Sequence, residues 1–299
     1  MRLGRRYTLQ EICTLFGISR QAHYQALRRE EQRLAQEALV LAEVRAIRQR
    51  HPHMGGRKIW HLLHEQGVLA AAAMGRDRLL ALLARHDLLV PRKRTRVRTT
   101  VPGIWRVPNL LIGLQVTHPL QVVVSDISYW PLVNGGFVYI YVLMDLFSRA
   151  LVGWHVGATL EATEALQALQ RAWQLWGPFP AGWIHHSDHG WQYGSGLYRS
   201  FVDTHQGRLS MGRVGSAYDN AYAERVIGTL KREYLLHQPV PSLPVARQWL
   251  AEAVRLYNTE RPHEALGYAT PMDVLQQPEQ FSHLAFRLCQ EGEFVRRCV

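Results

Sequence analysis

The run Val122-Val123-Val124-Ser125-Asp126-Ile127 reads as a buried apolar strand carrying a carboxylate at its end, and it is the first of three acids that constrain this chain. Asp188 follows the strand-like Trp183-Ile184-His185-His186-Ser187 and precedes His189-Gly190, where the chain can turn. After 35 intervening residues comes Glu224, in a segment leading into a helical stretch that ends near Lys231-Arg232-Glu233. Two acids at strand ends and one on a helix can converge on one point. Clustered carboxylates repel one another unless cations neutralise them. An all-oxygen donor set favours Mg²⁺ or Mn²⁺. A pair of such ions about 3.5–4 Å apart can clamp the attacking and leaving oxygens of a phosphodiester. The chemistry implied is phosphoryl transfer on nucleic acid.

The charge distribution points the same way. The 299 residues carry a formal net charge of +11, with 47% hydrophobic and 20% charged residues, as in a globular protein. Residues 1–110 hold 21 Lys and Arg against 8 Asp and Glu; residues 111–299 hold 14 against 16. The front half suits a polyanionic partner and the back half carries the acids that cations need. A small-molecule enzyme does not account for that asymmetry. Cys13, Cys289 and Cys298 show no metal-ligand spacing, so a reducing compartment is expected rather than a disulfide framework. Phe137 to Met144 is too short to span a bilayer. Arg2, Arg5 and Arg6 lead into polar residues rather than a signal-peptide core.

Several further segments stand beside the acids in a fixed order: Ser125-Asp126-Ile127-Ser128-Tyr129, Asp145-Leu146-Phe147-Ser148-Arg149, His185-His186-Ser187-Asp188-His189-Gly190-Trp191-Gln192-Tyr193, Tyr218-Asp219-Asn220-Ala221, Thr229-Leu230-Lys231-Arg232-Glu233, and Tyr257-Asn258 with Arg261-Pro262-His263. With them the chain resembles the DDE transposases of the retroviral-integrase superfamily, in the OrfB type of insertion-sequence family three, over roughly residues 40–275. The resemblance implies an α/β RNase H-like catalytic core behind a helical, helix-turn-helix-like DNA-binding region. It implies that Asp126, Asp188 and Glu224 are catalytic and hold two Mg²⁺ ions, with Mn²⁺ able to substitute. It also implies cleavage at the terminal inverted repeats of an element, then attack of the exposed 3′-OH on target DNA. Two ends must be handled together, so a homo-oligomer is expected, in the cytoplasm with the nucleoid. An upstream-frame partner or fusion stays open. Val124, His189 and Trp191 depart from the family pattern without removing an expected ligand.

Four regions are expected: helical DNA-binding at 1–90, a basic, Pro-containing linker at 91–118, the catalytic core at 119–278 and a tail at 279–299. Helix-turn-helix-like elements are expected at 7–28 and 41–90. In the first, Thr8 caps a helix through Leu15, Phe16-Gly17-Ile18 turns, and Ser19 caps a second helix through Leu27. Leu9, Ile12, Leu15 and Ile18 supply its apolar face, and Arg20 and Gln21 stand where such motifs meet DNA. A separate charged helix is expected at 30–48. Arg57 and Lys58, in a Gly-x-Arg-Lys-Ile pattern that the family carries, are phosphate-contact candidates or a solvated helix start. Arg92, Lys93, Arg94, Arg96 and Arg98 form a basic run that either tracks the DNA backbone or is a solvated loop.

Strands are expected at 121–127, 137–144 and 150–156, before Asp188 and around 208–211; helices are expected at about 160–176, 196–205 and 243–257. Lys231 falls seven residues after Glu224, on nearly the same helix face, and with Arg232 is a candidate for gripping a DNA phosphate. Asp145 is expected to pair with Arg149, and Asp219-Asn220 to cap the helix bearing Glu224. His185, His186 and His189 lack the spacing of a zinc site, although His186 or His189 could touch the scissile DNA. The rivals to a transposase are a nuclease on the same fold and a domesticated, non-catalytic DNA-binding regulator.

Overall fold

The computed structural model describes residues 7–90, 107–212, 220–235 and 239–288. Two compact units divide the chain: Met1–Arg50 with Met54–Pro91, and His51–His53 with Arg92–Val299. No described helix is long and apolar enough to cross a membrane.

The first unit is helical. Helix α1 (Leu9–Leu15) opens on a capping box, in which Thr8 and Glu11 exchange side-chain and backbone hydrogen bonds. Gly17, at φ 65°, makes the turn. The Ser19 hydroxyl then accepts from the Ala22 amide at the start of α2 (Arg20–Arg50). The break expected after Leu27 does not occur. No Gly or Pro lies between Gln21 and Arg50, and Arg28-Arg29-Glu30-Glu31 are good helix formers, so α2 continues for 31 residues. The expected apolar face of α1 is not buried either: Ile12, Leu15 and Ile18 are exposed, and only Cys13 of that helix is buried. A seven-residue helix presents too little partner surface to cover such a stripe. The core of this unit lies further on, between Val40, Leu41, Val44 and Ile47 of α2 and the helices α3 (Gly56–Glu65), α4 (Val68–Ala71) and α5 (Arg76–Arg85). Leu79, Leu82 and Leu83 are fully buried there, each worth about 1.5–3 kcal/mol.

The second unit is built on a five-stranded sheet. Strands β2 (Val122–Pro131), β3 (Phe137–Asp145) and β4 (Leu151–Gly157) form an antiparallel meander, with Gly135 and Gly136 at φ 89° and 79° in its first turn. Strand β5 (Ile184–Ser187) pairs parallel to β2, and β6 (Arg208–Met211) parallel to β5. This is the RNase H-like arrangement. Helix α6 (Ala162–Trp176) covers one face with Ala165, Leu166, Ala168, Leu169 and Ala172. The short helices α7 (Trp191–Gly194) and α8 (Gly196–Thr204) follow β5, and α9 (Ala221–Leu230) and α10 (Leu243–Thr259) pack into the other core cluster. A short β1 (Gln115–Val116) pairs antiparallel with β7 (Phe286–Arg287), so part of the expected tail returns to residues expected as linker.

Asp126 does not end its strand. Strand β2 runs on to Pro131, because Ser128, Tyr129 and Trp130 continue the ladder with β3 and the Trp130 side chain is fully buried. Strand β5 stops at Ser187, so it pairs only with the first half of β2, and the far end of β2 is met instead by Val240, whose amide donates to the Pro131 carbonyl at 3.0 Å.

Candidate active site

The sheet register accounts for the first two acids. In the parallel pair, Val122 lies beside Ile184, Val123 beside His185 and Val124 beside His186. Two residues beyond the last of these pairs on each chain stand Asp126 and Asp188, just past the end of β5, and Asp188 acts on the Asp126 carboxyl through its charge. Each engages one carboxylate oxygen locally. Asp126 Oδ1 accepts from the Ile127 amide at 2.8 Å, and Asp188 Oδ1 from the Gly190 amide at 3.0 Å.

Glu224 arrives on the first turn of α9. The helix start is tied to the strand beside Asp126 by the Asn220 amide, whose Nδ2 donates to the Ser125 carbonyl at 3.1 Å. Asn220 stands at the N-cap position but its side chain makes no cap hydrogen bond, contrary to expectation, because it is committed to β2. Asp219 lies outside the described residues.

The acids act on one another. Burial, then Asp188 and Glu224, push the Asp126 carboxyl up to about 8, against the opposing pull of the Ile127 amide and Lys231. Burial and then Asp188 raise Glu224. Burial lowers the Lys231 ammonium, with Asp126 acting in the opposite sense. Among the described residues, no group of three or more His, Cys, Asp or Glu side chains stands close enough as placed to hold a metal ion. The donor set is instead open: two adjacent aspartates with one oxygen each committed to an amide, and a glutamate on an exposed helix face. Oxygen donors that repel one another fit a hard divalent cation whose remaining positions go to water or phosphate.

Lys231 begins a π turn (Lys231–Leu235) that follows α9 directly. Arg232 folds back, with Nε donating to the Gly228 carbonyl at 2.9 Å. The expected Asp145–Arg149 pair is replaced by a different arrangement. Asp145 is fully buried and accepts from the amides of Leu120 and Ser148, each at 2.8 Å, and from the Ser148 hydroxyl at 2.5 Å. Arg149, at φ 63°, lays its guanidinium over the rings of Tyr222 and Phe286 instead. The histidines beside Asp188 are structural where buried. His185 Nε2 meets the Tyr198 hydroxyl at 2.7 Å, and burial holds its pKa down to about 3, hence neutral. His186 Nδ1 meets the Ser210 hydroxyl at 2.8 Å and is too buried to reach DNA; His189 is half-buried.

Arg20 and Gln21 are exposed on the first turn of α2, and Arg57 is exposed and Lys58 half-buried on the first turn of α3. Arg92, Lys93, Arg94, Arg96 and Arg98 lie outside the described residues. The motif Tyr257-Asn258-Arg261-His263 meets the π turn, where Arg261 forms a bidentate pair with Glu233. Both residues stand in segments singled out above, but nothing in the sequence joins them.

The integrase core domain family matches residues 116–217, and a second integrase core domain family matches residues 205–271. The chain is 33% identical to the uncharacterized 31 kDa protein of insertion element IS600 from Shigella sonnei, across 87% of this chain and 96% of that protein. It is 31% identical to the transposase for insertion sequence element IS629 from Shigella sonnei, across 77% and 76%. Transposase InsF for insertion sequence IS3A of Escherichia coli K12 is 28% identical, across 89% and 93%. Among solved structures, the HTLV-2 integrase catalytic core domain in complex with magnesium is similar at 18% identity and a TM-score of 0.42, covering 53% of this chain and 98% of that one. A simian T-cell lymphotropic virus intasome chain is similar at 18% identity and a TM-score of 0.45, covering 76% and 72%. With relatives of this identity and coverage, the chain belongs to the insertion-sequence transposases that carry an integrase core, the DDE transposases of the retroviral-integrase superfamily.

Proposed function

We propose that this chain cuts DNA at the terminal inverted repeats of its insertion sequence and joins the freed 3′-OH ends to target DNA. The observation that supports this reading is the parallel pairing of β2 and β5, two residues beyond which Asp126 and Asp188 follow, with Asp188 and Glu224 both acting on Asp126. Asp126, Asp188 and Glu224 would hold divalent cations, two Mg²⁺ in this reading, with Mn²⁺ able to substitute. When bound, such cations acidify water or a 3′-hydroxyl and stabilise the departing oxygen.

The rest falls to the chain's own residues. In cleavage, a water oxygen bonds to phosphorus, the bond to the 3′-oxygen breaks, and that oxygen takes a proton. In joining, the 3′-oxygen attacks another phosphodiester and displaces its 3′-oxygen, so the number of phosphodiester bonds is conserved. No covalent protein intermediate is needed. Lys231, about two turns on from Glu224 and on nearly the same face, and Arg232 hold the phosphate next to the reacting one. Arg20, Gln21, Arg57, Lys58 and the basic run Arg92, Lys93, Arg94, Arg96 and Arg98 contact the rest of the DNA. The active form is a homo-oligomer at the nucleoid, alone or with an upstream-frame partner.

The test incubates the protein with DNA bearing its element ends, with Mg²⁺ or EDTA, beside Glu224→Gln. Metal-dependent nicks leaving 3′-OH and joined strands are expected, both lost in the variant. Cuts without joining would indicate a nuclease, and binding without cutting a regulator.

A further inference from the structure

The helical unit contains a charge assembly that the active site does not use. Glu37, midway along α2, has a side chain only 6% exposed. Its Oε1 accepts from Arg33 Nη1 at 3.1 Å and from Arg78 Nη2 at 3.5 Å, and its Oε2 accepts from Arg85 Nη2 at 3.1 Å. Arg33 precedes Glu37 by about one turn of α2. Arg78 and Arg85 lie seven residues apart on α5 and therefore share a face. The three arginine side chains are 37%, 40% and 53% exposed. Three guanidinium groups thus converge on one buried carboxylate while their outer edges stay in solvent.

One cation would suffice to neutralise Glu37. Arg33 is also engaged by Glu30, which accepts from its Nε and Nη2. Arg78 and Arg85 each donate a single hydrogen bond, to Glu37, and Arg85 also acts on the exposed Glu30 through its charge. An arginine carries five N–H donors in a planar fork, so most of those on this pair point outward unused. Three arginines against two glutamates leave excess positive charge. Stapling α5 to α2 would need a single ion pair; a second like charge on the same carboxylate only adds repulsion. That repulsion is relieved by an anion that accepts from both forks, and a phosphodiester offers two oxygens in matching geometry.

We propose that Arg78 and Arg85, held in place by Glu37 and Arg33, form a clamp for backbone phosphates of DNA. The proposal rests on the reading of the chain as a DNA-processing enzyme and adds a contact separate from Arg20, Gln21, Arg57 and Lys58. A clamp on phosphates positions the duplex and carries no sequence preference.

The test measures binding of the full chain to a labelled duplex carrying element ends, from about 50 to about 200 mM salt. The wild type is compared with Arg78→Ala/Arg85→Ala and with Arg78→Lys/Arg85→Lys, and helix content is checked by circular dichroism. Each phosphate contact contributes about 0.9 to the slope of log affinity against log salt, so the alanine pair should lower that slope by about 1.8. The lysine pair keeps the charge but loses the fork, and should bind more weakly at an unchanged slope. A folded alanine pair with wild-type slope and affinity overturns the clamp. Should the alanine pair lose helix, wild-type affinity in the lysine pair overturns it equally. A wild type that cuts and joins DNA while the alanine pair binds unchanged removes the clamp alone. A wild type that binds no DNA removes the clamp and the proposed function together.

Discussion

Arg261 and Glu233 face each other as a fork, with Nε to Oε2 and Nη2 to Oε1 both at 2.8 Å and side chains 7% and 13% exposed. His263 Nε2 lies 3.0 Å from Arg261 Nη1, and the guanidinium packs over the Tyr257 ring. Glu233 belongs to the π turn that starts at Lys231, so the fork holds the chain immediately beyond the Glu224 helix. Arg261→Ala removes a bidentate cation from a mostly buried carboxylate and should cost about 3–5 kcal/mol in denaturant unfolding. Arg261→Lys retains the charge without the fork and should lose less. A cost below about 1 kcal/mol for the alanine variant, the worth of an exposed pair, would contradict this role.

The raised Asp126 carboxyl gives the metal-free protein a pH signature. Its pKa is about 8 when folded against an ordinary 3.8, so the folded state holds this proton more tightly than the unfolded chain does. The stability it contributes is full below about pH 4 and is lost as pH rises through about 8. A divalent cation bound at the carboxylate must displace the proton, so the rise in melting temperature with Mg²⁺ should grow with pH and level off above about 8. Asp126→Asn should abolish both trends. A pH-independent Mg²⁺ effect between about pH 6 and pH 9 would count against the assignment.

Asp145 is a structural acid. Substituting Asp145→Ala strands the partly buried Leu120 amide and the buried Ser148 amide and hydroxyl. At about 1–3 kcal/mol for each unsatisfied group, a loss of about 3 kcal/mol or more is expected in urea unfolding. A near-neutral variant would mean that water replaces the carboxylate.

Gly153 on β4 sets the approach of α6. A Cβ there would stand 2.4 Å from the Ala168 carbonyl oxygen and 2.8 Å from the Ala172 Cβ. Gly153→Ala should therefore cost about 1–3 kcal/mol. Adding Ala172→Gly should not restore the loss, since the backbone oxygen remains. Full rescue by the second substitution would locate the clash at Ala172 instead.

What the chain disclosed in advance follows from the range of each interaction. The strands around 122, 137 and 151 and the caps at Thr8 and Ser19 depend on neighbours in sequence, so apolar runs and short polar residues announce them. The continuity of α2 was hidden because the charged block at 28–31 looks like an interruption, yet a helix with its outer face in water tolerates it. Long-range partners left no trace. Asn220 chooses Ser125, 95 residues away, over its own helix; Arg261 finds Glu233 across 28; Glu37 gathers Arg78 and Arg85 across 41 and 48. Composition supplies the donors and acceptors, but only the folded sheet and helices decide which ones meet. The acids were visible as residue types. Their approach required the register of β2 and β5.

Strand β4 lies at the rim of the sheet, and α10 seals it. The Asn258 side chain gives Leu151 both a donor and an acceptor, at 3.0 and 2.9 Å, and Arg247 Nε donates to the Val156 carbonyl at 3.0 Å. The groups through which a foreign strand would zip on are already spoken for at both ends of β4. Copies of this protein cannot fuse their sheets into a continuous ribbon from that rim without breaking these bonds. A hydrophobic strand exposed during synthesis therefore finds both ends of that rim occupied, and little template there on which to aggregate.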